Sequence, residues 1–206
     1  MLRIWGRTNS VNVQKVLWCA DELGLNYERV DAGGAFGKVQ EAAYLAKNPN
    51  ALVPTIEDDG FVLWESNTIV RYLSAKHGLG TLCPRELAAR ADVERWMDWQ
   101  LSVPQKDMTT VFWGLVRTPP EKRDPAAIAQ AAKSLNGLWA RLDGHLKGRA
   151  FVGGNTFTMG DIPVGCLAFR WLNLPIERDR LPNLEAWYER LTTRPAYRKN
   201  VMPPMT

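Results

Sequence analysis

The sequence predicts a small α/β domain followed by a larger, all-helical one, and three observations carry that prediction. Strand and helix patterns alternate through the first 78 residues; GLGTLCPR at 78–85 reads as a linker; beyond it, apolar residues recur only at helical spacing. The expected units are residues 1–80 and 87–206, with the boundary near residue 82.

LRIW (2–5) has the look of a short buried strand. Val13, Val16, Leu17, Ala20 and Leu23 then recur at helical spacing until Gly24, a natural terminator. YERVD (27–31) carries a weaker strand pattern, GGAFG follows as a loop, and 39–47 is expected to be a second helix closed by NPN. VPTIE and FVLW, joined by DDG, form a hairpin signature. A third helix is expected from Ser66 to His77, closed by Gly78, which completes the order β-α-β-α-β-β-α. In the second unit, helices are expected over 86–116, 125–147, 160–172 and 183–192, with PP, GG and NLP as breaks.

The chain has 206 residues, 46% hydrophobic and 23% charged, an ordinary balance for a packed protein. Its 26 basic and 22 acidic residues are dispersed, so the net charge of +4 forms no nucleic-acid-binding block and supports only a mild preference for anionic small molecules. Three widely spaced cysteines, Cys19, Cys83 and Cys166, fit neither a disulfide framework nor a zinc site, and no C-x-x-C is present. The opening MLRIWGRT lacks an apolar leader core and no run approaches about 18 apolar residues. A cytoplasmic protein without metal, membrane or nucleic-acid partner is expected.

Three sites could carry chemistry. Thr8, Asn9 and Ser10 precede the first helix, with Asn12 just inside it. Ser10 reads equally as a helix cap and as a donor to a bound anion; a hydroxyl can accept a backbone N–H and still donate outward beside the helix's positive end. A thiolate would suit that place. A free thiol of pKa about 8.5 is roughly 3% ionised at pH 7, and lowering the pKa to about 6.5 gives roughly 75%, at about 2.7 kcal/mol of preferential stabilisation. One charge-assisted hydrogen bond plus a helix terminus is of that size. At LVPTI (52–56), Pro54 is either a plain strand start or half of a cis Val53–Pro54 step that offers the Val53 backbone to an extended peptide. At WESNTIV (64–70), Ser66 and Glu65 read either as a cap with a first-turn acid or as a grip on a carboxylate and an ammonium.

Taken together, these stretches resemble the cytosolic glutathione transferase family over nearly the whole chain, including FTMGDI (157–162), with Thr158 and Asp161 as a capping box, and PNLEAWYERLTTRPAY near the end. The resemblance implies a thioredoxin-like N-terminal domain that binds glutathione and an all-α helical bundle that supplies the second-substrate pocket. It places Ser10 as thiolate stabiliser with Asn12 as helper, the serine-type arrangement of the theta-related and bacterial branches. It places Val53 and the cis-Pro54 along the peptide, and Glu65 and Ser66 at the γ-glutamyl end. Leu52 stands where many relatives have lysine, which leaves the glycyl carboxylate to Lys38 or Gln40. A shift of one or two residues would hand the sulfur to Asn9 or Thr8.

RWMDWQLSVPQKDMTTVFWGLVR (95–117) is rich in aromatics and methionine. It reads as bundle core and subunit interface, with Met108, Phe112 and Trp113 as candidates to line a hydrophobic pocket near Phe36. The expected function is a glutathione transferase acting on hydrophobic electrophiles, glutathione being co-substrate and the assembly a homodimer engaged in detoxification. A glutathione-dependent disulfide reductase or peroxidase on the same site, and a non-catalytic binding module of the same fold, are the alternatives. Cys19 is no substitute nucleophile, lying about 13 Å along the helix from Ser10 and on its opposite face.

Overall fold

A computed structural model describes residues 1–206. Strands β1 (Leu2–Trp5), β2 (Tyr27–Val30), β3 (Thr55–Asp58) and β4 (Phe61–Trp64) form one sheet in the order β2-β1-β3-β4. β1 and β2 are parallel, whereas β1/β3 and β3/β4 are antiparallel. Ile4 and Ile56 face each other in register and are both fully buried, which pins the centre of the sheet. The β3–β4 turn is the expected one: Asp59 and Gly60 both have positive φ, 49° and 90°, the conformation a two-residue hairpin demands. Helices α1 (Val11–Glu22) and α3 (Ser66–His77) pack against each other beside this sheet.

The predicted second helix is only one turn long, α2 (Ala42–Leu45), because Gly37 and Lys38 take positive φ and the chain turns through 39–41 before helical geometry begins. That turn has a structural purpose: the Tyr44 hydroxyl (2.6 Å) and Asn48 Nδ2 (2.9 Å) both donate to the Leu52 carbonyl, tethering the segment that leads into Pro54.

The helical domain comprises α4 (Leu87–Ser102), α5 (Gln105–Phe112), α6 (Pro125–Leu146), α7 (Asp161–Asn173), α8 (Pro182–Thr192) and α9 (Pro195–Asn200). The single helix expected over 86–116 is two: Pro104 has no N–H for the i→i−4 ladder and its ring clashes with the preceding turn, so the chain breaks at Val103–Pro104. α5 then widens into a π-type turn, Trp113–Arg117. The final helix α9 lies beyond the last element expected from apolar spacing. Glu86 caps α4 by accepting from Ala88 and Ala89 N–H, and Asp124 caps α6 with Pro125 in its first turn.

Helix α1 belongs to both domains. It packs on α3 in one direction and on α7 and α9 in the other. The Trp18 ring lies 5.4 Å from Phe157 and 4.6 Å from Tyr197, and Arg194 grips Glu22 through two N–H groups at 2.7 and 2.6 Å. The FTMGDI segment is anchored by Asp161, which accepts from the Thr158 and Val152 N–H groups and from Trp187 Nε1, each at 2.9 Å. Its return bond to Thr158 is the back-reaching half of the expected capping box. Full burial pushes this carboxyl up to about 6, against the pull of those donors. No helix is long and apolar enough to cross a membrane.

Candidate active site

Ser10 stands at the N-cap of α1 with extended backbone (φ −89°, ψ 122°), yet its hydroxyl makes no capping bond and has no partner in the protein. The amides of Val11, Asn12 and Val13 are likewise unpartnered, and the first turn holds no acid. Cap and anion donor were equal readings of the sequence; the geometry leaves the hydroxyl and three N–H groups available for a ligand.

On one flank of this helix start lies a narrow slot of about 40 Å³ bordered by Asn12, Val53, Pro54, Glu65 and Ser66, together with Asn48, Asn50, Leu52 and Trp64. The Val53–Pro54 peptide is cis. Neither the N–H nor the C=O of Val53 bonds to the protein, so both can pair with an extended peptide. Across the slot, Ser66 is the first residue of α3 rather than its cap. Glu65 holds the cap position in the left-handed region at φ 71°, and the amides of Ser66, Asn67 and Thr68 have no partner. The Ser66 hydroxyl donates to Asn12 Oδ1 at 3.4 Å, linking the starts of α1 and α3. Five residues singled out along the sequence, from three separate segments, therefore share one slot. Asn48 and Asn50 had no signal beyond the turn-forming NPN.

The remaining candidates are placed differently. Lys38 is exposed outside the slot, at φ 66° in the loop after Phe36. Phe36 and Trp113 are half exposed, at 52% and 53%. Met108 and Phe112, both expected to line a pocket, are instead fully buried in the core, where the interior face of α5 packs. Cys19, hydrogen-bonded to the Val70 carbonyl and facing Ser74, is a packed thiol that burial pushes up to about 12; Cys166 is pushed up to about 12 in the same way. A wider concavity of about 570 Å³ between α6 and residues 176–179 lies away from these groups, and its Arg123 and Arg178 donate to backbone carbonyls. No cluster of three or more His, Cys, Asp or Glu side chains is arranged to hold a metal.

The other flank of the helix start is cationic, and sequence reasoning missed it. Arg7 donates to Asn9 Oδ1 at 2.6 Å, and its Nε is buried without a partner. Arg117, from the π-type turn, reaches the Asn9 carbonyl at 3.4 Å. The Arg170 guanidinium of α7 lies 3.7 Å from the centre of the Phe112 ring, and that of Arg117 lies 5.1 Å from the same centre. Beneath them Lys15 is fully buried, its ammonium donating to Gln100 Oε1 (2.8 Å) and Asn67 Oδ1 (3.3 Å). Burial, with Arg170 nearby, brings Lys15 down to about 8; burial, with Arg117 and Arg7 nearby, brings Arg170 down to about 9.

A thioredoxin-like sheet with the unpartnered Val53 backbone beside the starts of α1 and α3, fused to a helical bundle, is the two-domain arrangement of a glutathione transferase fold. Comparison with known proteins is specific: residues 1–75 match the glutathione S-transferase N-terminal domain and residues 125–190 match the glutathione S-transferase C-terminal domain. The chain is 44% identical to glutathione S-transferase GstB of Escherichia coli strain K12 over the whole of both proteins. It is 27% identical to glutathione S-transferase 3 of Zea mays, covering 97% of this chain and 93% of that one. Its structure superposes on the glutathione-bound theta class enzyme of Xanthomonas axonopodis pv. citri with a TM-score of 0.96 at 49% identity, covering 100% and 99% of the two chains. The chain belongs to the glutathione S-transferase family.

Proposed function

We infer that the protein conjugates glutathione to small hydrophobic electrophiles, and that Ser10 holds the sulfur as a thiolate at the start of α1. The observation that carries this reading is the free Ser10 hydroxyl, set beside three open amides and next to a slot built for a peptide. Glutathione lies along Val53 by backbone pairing, with its γ-glutamyl carboxylate on the Ser66 hydroxyl and the first amides of α3 and its ammonium toward Glu65. Asn12, already bonded to Ser66, sits between the two ends and helps fix the sulfur. The exposed loop bearing Lys38 and Gln40 takes the glycyl carboxylate. Phe36 and Trp113 offer an apolar wall to the electrophile, whereas Met108 and Phe112 support it from the core.

The thiolate attacks the electrophilic atom while the Ser10 O–H and the helix terminus keep the proton off sulfur at neutral pH. All three cysteines are buried, so in a disulfide or peroxide reaction at this site the attacking sulfur would also be glutathione's. We place the protein in the cytoplasm as a homodimer acting in detoxification. Ser10→Ala tests the assignment: turnover is expected to fall about 100-fold while glutathione affinity changes little. Unchanged turnover would remove Ser10 from the reaction, and a loss in Asn9→Ala or Thr8→Ala instead would move the sulfur along the loop.

A further inference from the structure

We propose that Lys15 is the counter-charge for glutathione's γ-glutamyl carboxylate, its buried ammonium acting through Asn67 from behind the first turn of α3. This rests on the reading above that sets the carboxylate at the start of α3, and it adds to that site a positioning residue that does not touch the ligand.

Lys15 is wholly buried, yet its ammonium donates only to neutral oxygens, Gln100 Oε1 at 2.8 Å and Asn67 Oδ1 at 3.3 Å. The lysines that form ion pairs are Lys47, Lys76 and Lys199. The titratable groups that bear on Lys15 are Cys166 and Arg170 of α7 and Glu65 at the cap of α3. Cys166, pushed up to about 12, is neutral, and Arg170 repels. Glu65 makes no ion pair with Lys15 and borders the slot, where the reading above gives it to glutathione's ammonium. Burial brings Lys15 down to about 8, so it is still charged at pH 7. A buried ammonium with no carboxylate against it raises the cost of folding, and a methionine would fill the same space without that cost. The carboxylate that offsets it arrives with the ligand.

Two rungs join α1 to the start of α3. The first, the Ser66 hydroxyl on Asn12 Oδ1, borders the slot. The second, Lys15 on Asn67, lies one residue further along α3 and three along α1, about 4.5 Å of helix rise behind the first. Residues three apart share a helix face, so Lys15 and Asn12 both point toward α3. Asn67 serves two sides: its side chain accepts from Lys15 and donates to the Met97 carbonyl at 2.7 Å, while its backbone N–H is one of the open amides. A carboxylate on those amides and the Ser66 hydroxyl therefore has the ammonium on the far side of a single residue. Protein rather than water fills the space between the charges, which leaves their attraction weakly screened. Gln100 of α4 holds the ammonium from the helical domain, so recognition of this carboxylate draws on both domains.

The test crosses two ligands with the full-length protein and its variants. S-methylglutathione, which has no thiol to ionise, and its analogue with a carboxamide in place of the γ-glutamyl α-carboxylate are titrated calorimetrically at pH 7. Turnover of 1-chloro-2,4-dinitrobenzene with glutathione is measured alongside. The unmodified protein is expected to favour the carboxylate about 100-fold and Lys15→Met only about tenfold, since Ser66 and the amides of α3 remain. Gln100→Glu reads the same ratio with the lysine kept: an internal carboxylate pairs the ammonium, and the preference should fall by a similar factor. Circular dichroism checks folding. A ratio unchanged in either folded variant would overturn the proposal, because Lys15 would then serve packing alone. Equal affinities in the unmodified protein would overturn it together with the placement of the carboxylate at α3. A tenfold fall in the ratio without turnover would support the counter-charge and count against the conjugating function. Turnover with a ratio that neither variant changes would do the reverse.

Discussion

The two flanks of α1's first turn differ in their chemistry. The slot combines open backbone groups with a hydroxyl and a carboxylate: the Val53 amide and carbonyl, the unpartnered amides of α3, the Ser66 hydroxyl bonded to Asn12, and Glu65. The facing side gathers the guanidinium groups of Arg7, Arg117 and Arg170 around Asn9 and Phe112, with the buried Lys15 ammonium beneath and the Thr206 main-chain oxygen accepting from Arg117. Open backbone groups suit pairing with an extended peptide, whereas clustered cations raise the cost of folding unless an anion lies among them.

The largest expected effect lies where the flanks meet, and is the roughly 100-fold loss of turnover in Ser10→Ala. Next is a change confined to the slot: Ser66→Ala should weaken glutathione about tenfold by calorimetry through one lost hydrogen bond to a carboxylate, with kcat nearly preserved. A fall in kcat larger than the rise in KM would show that Ser66 reaches the reacting sulfur instead.

A stability measurement separates the cationic flank from the slot. Lys15, fully buried, is brought down to about 8 from 10.5. Between those pH values the unfolded chain retains a proton that the folded chain has released, so this residue makes stability rise with pH across the window. Below pH 8 the folded state carries a buried charge. Lys15→Met should accordingly raise stability at pH 7 by about 2 kcal/mol and flatten the rise between pH 8 and 10.5, measured by urea unfolding. A destabilised variant would mean that the bonds to Gln100 and Asn67 outweigh desolvation. The smallest effect concerns the thiols: Cys19→Ser should leave turnover unchanged, and the native protein should resist alkylation at pH 8.

The slot was legible because each part is a local pattern with its own chemistry. Val53–Pro54 precedes a strand, Glu65–Ser66 opens a helix, and Asn12 lies in the first turn of another; the fold only had to bring them together. The arginines were not, since 7, 117 and 170 share no motif and each alone reads as one solvated charge among 26 basic residues. The net charge hinted at an anionic ligand but named no residue. Among the elements, strands and most helices followed from apolar period and terminators. The 86–116 helix was overextended because aromatic and methionine residues continue on both sides of Pro104, so periodicity masked a break that the proline's missing N–H imposes. Residues 39–47 suit a helix by composition, but the positive φ at Gly37 and Lys38 and the tether on Leu52 confine helical geometry to one turn.

The proposed reaction requires the start of α1 and the Ser10 hydroxyl together to lower the pKa of the glutathione thiol. Titrating the ultraviolet thiolate absorbance of the protein–glutathione complex measures this directly. A midpoint near pH 6.5 is expected, about two units below the roughly 8.5 of a free thiol, with Ser10→Ala returning most of the way to the free value. A midpoint matching free glutathione, or one that Ser10→Ala leaves in place, would contradict it.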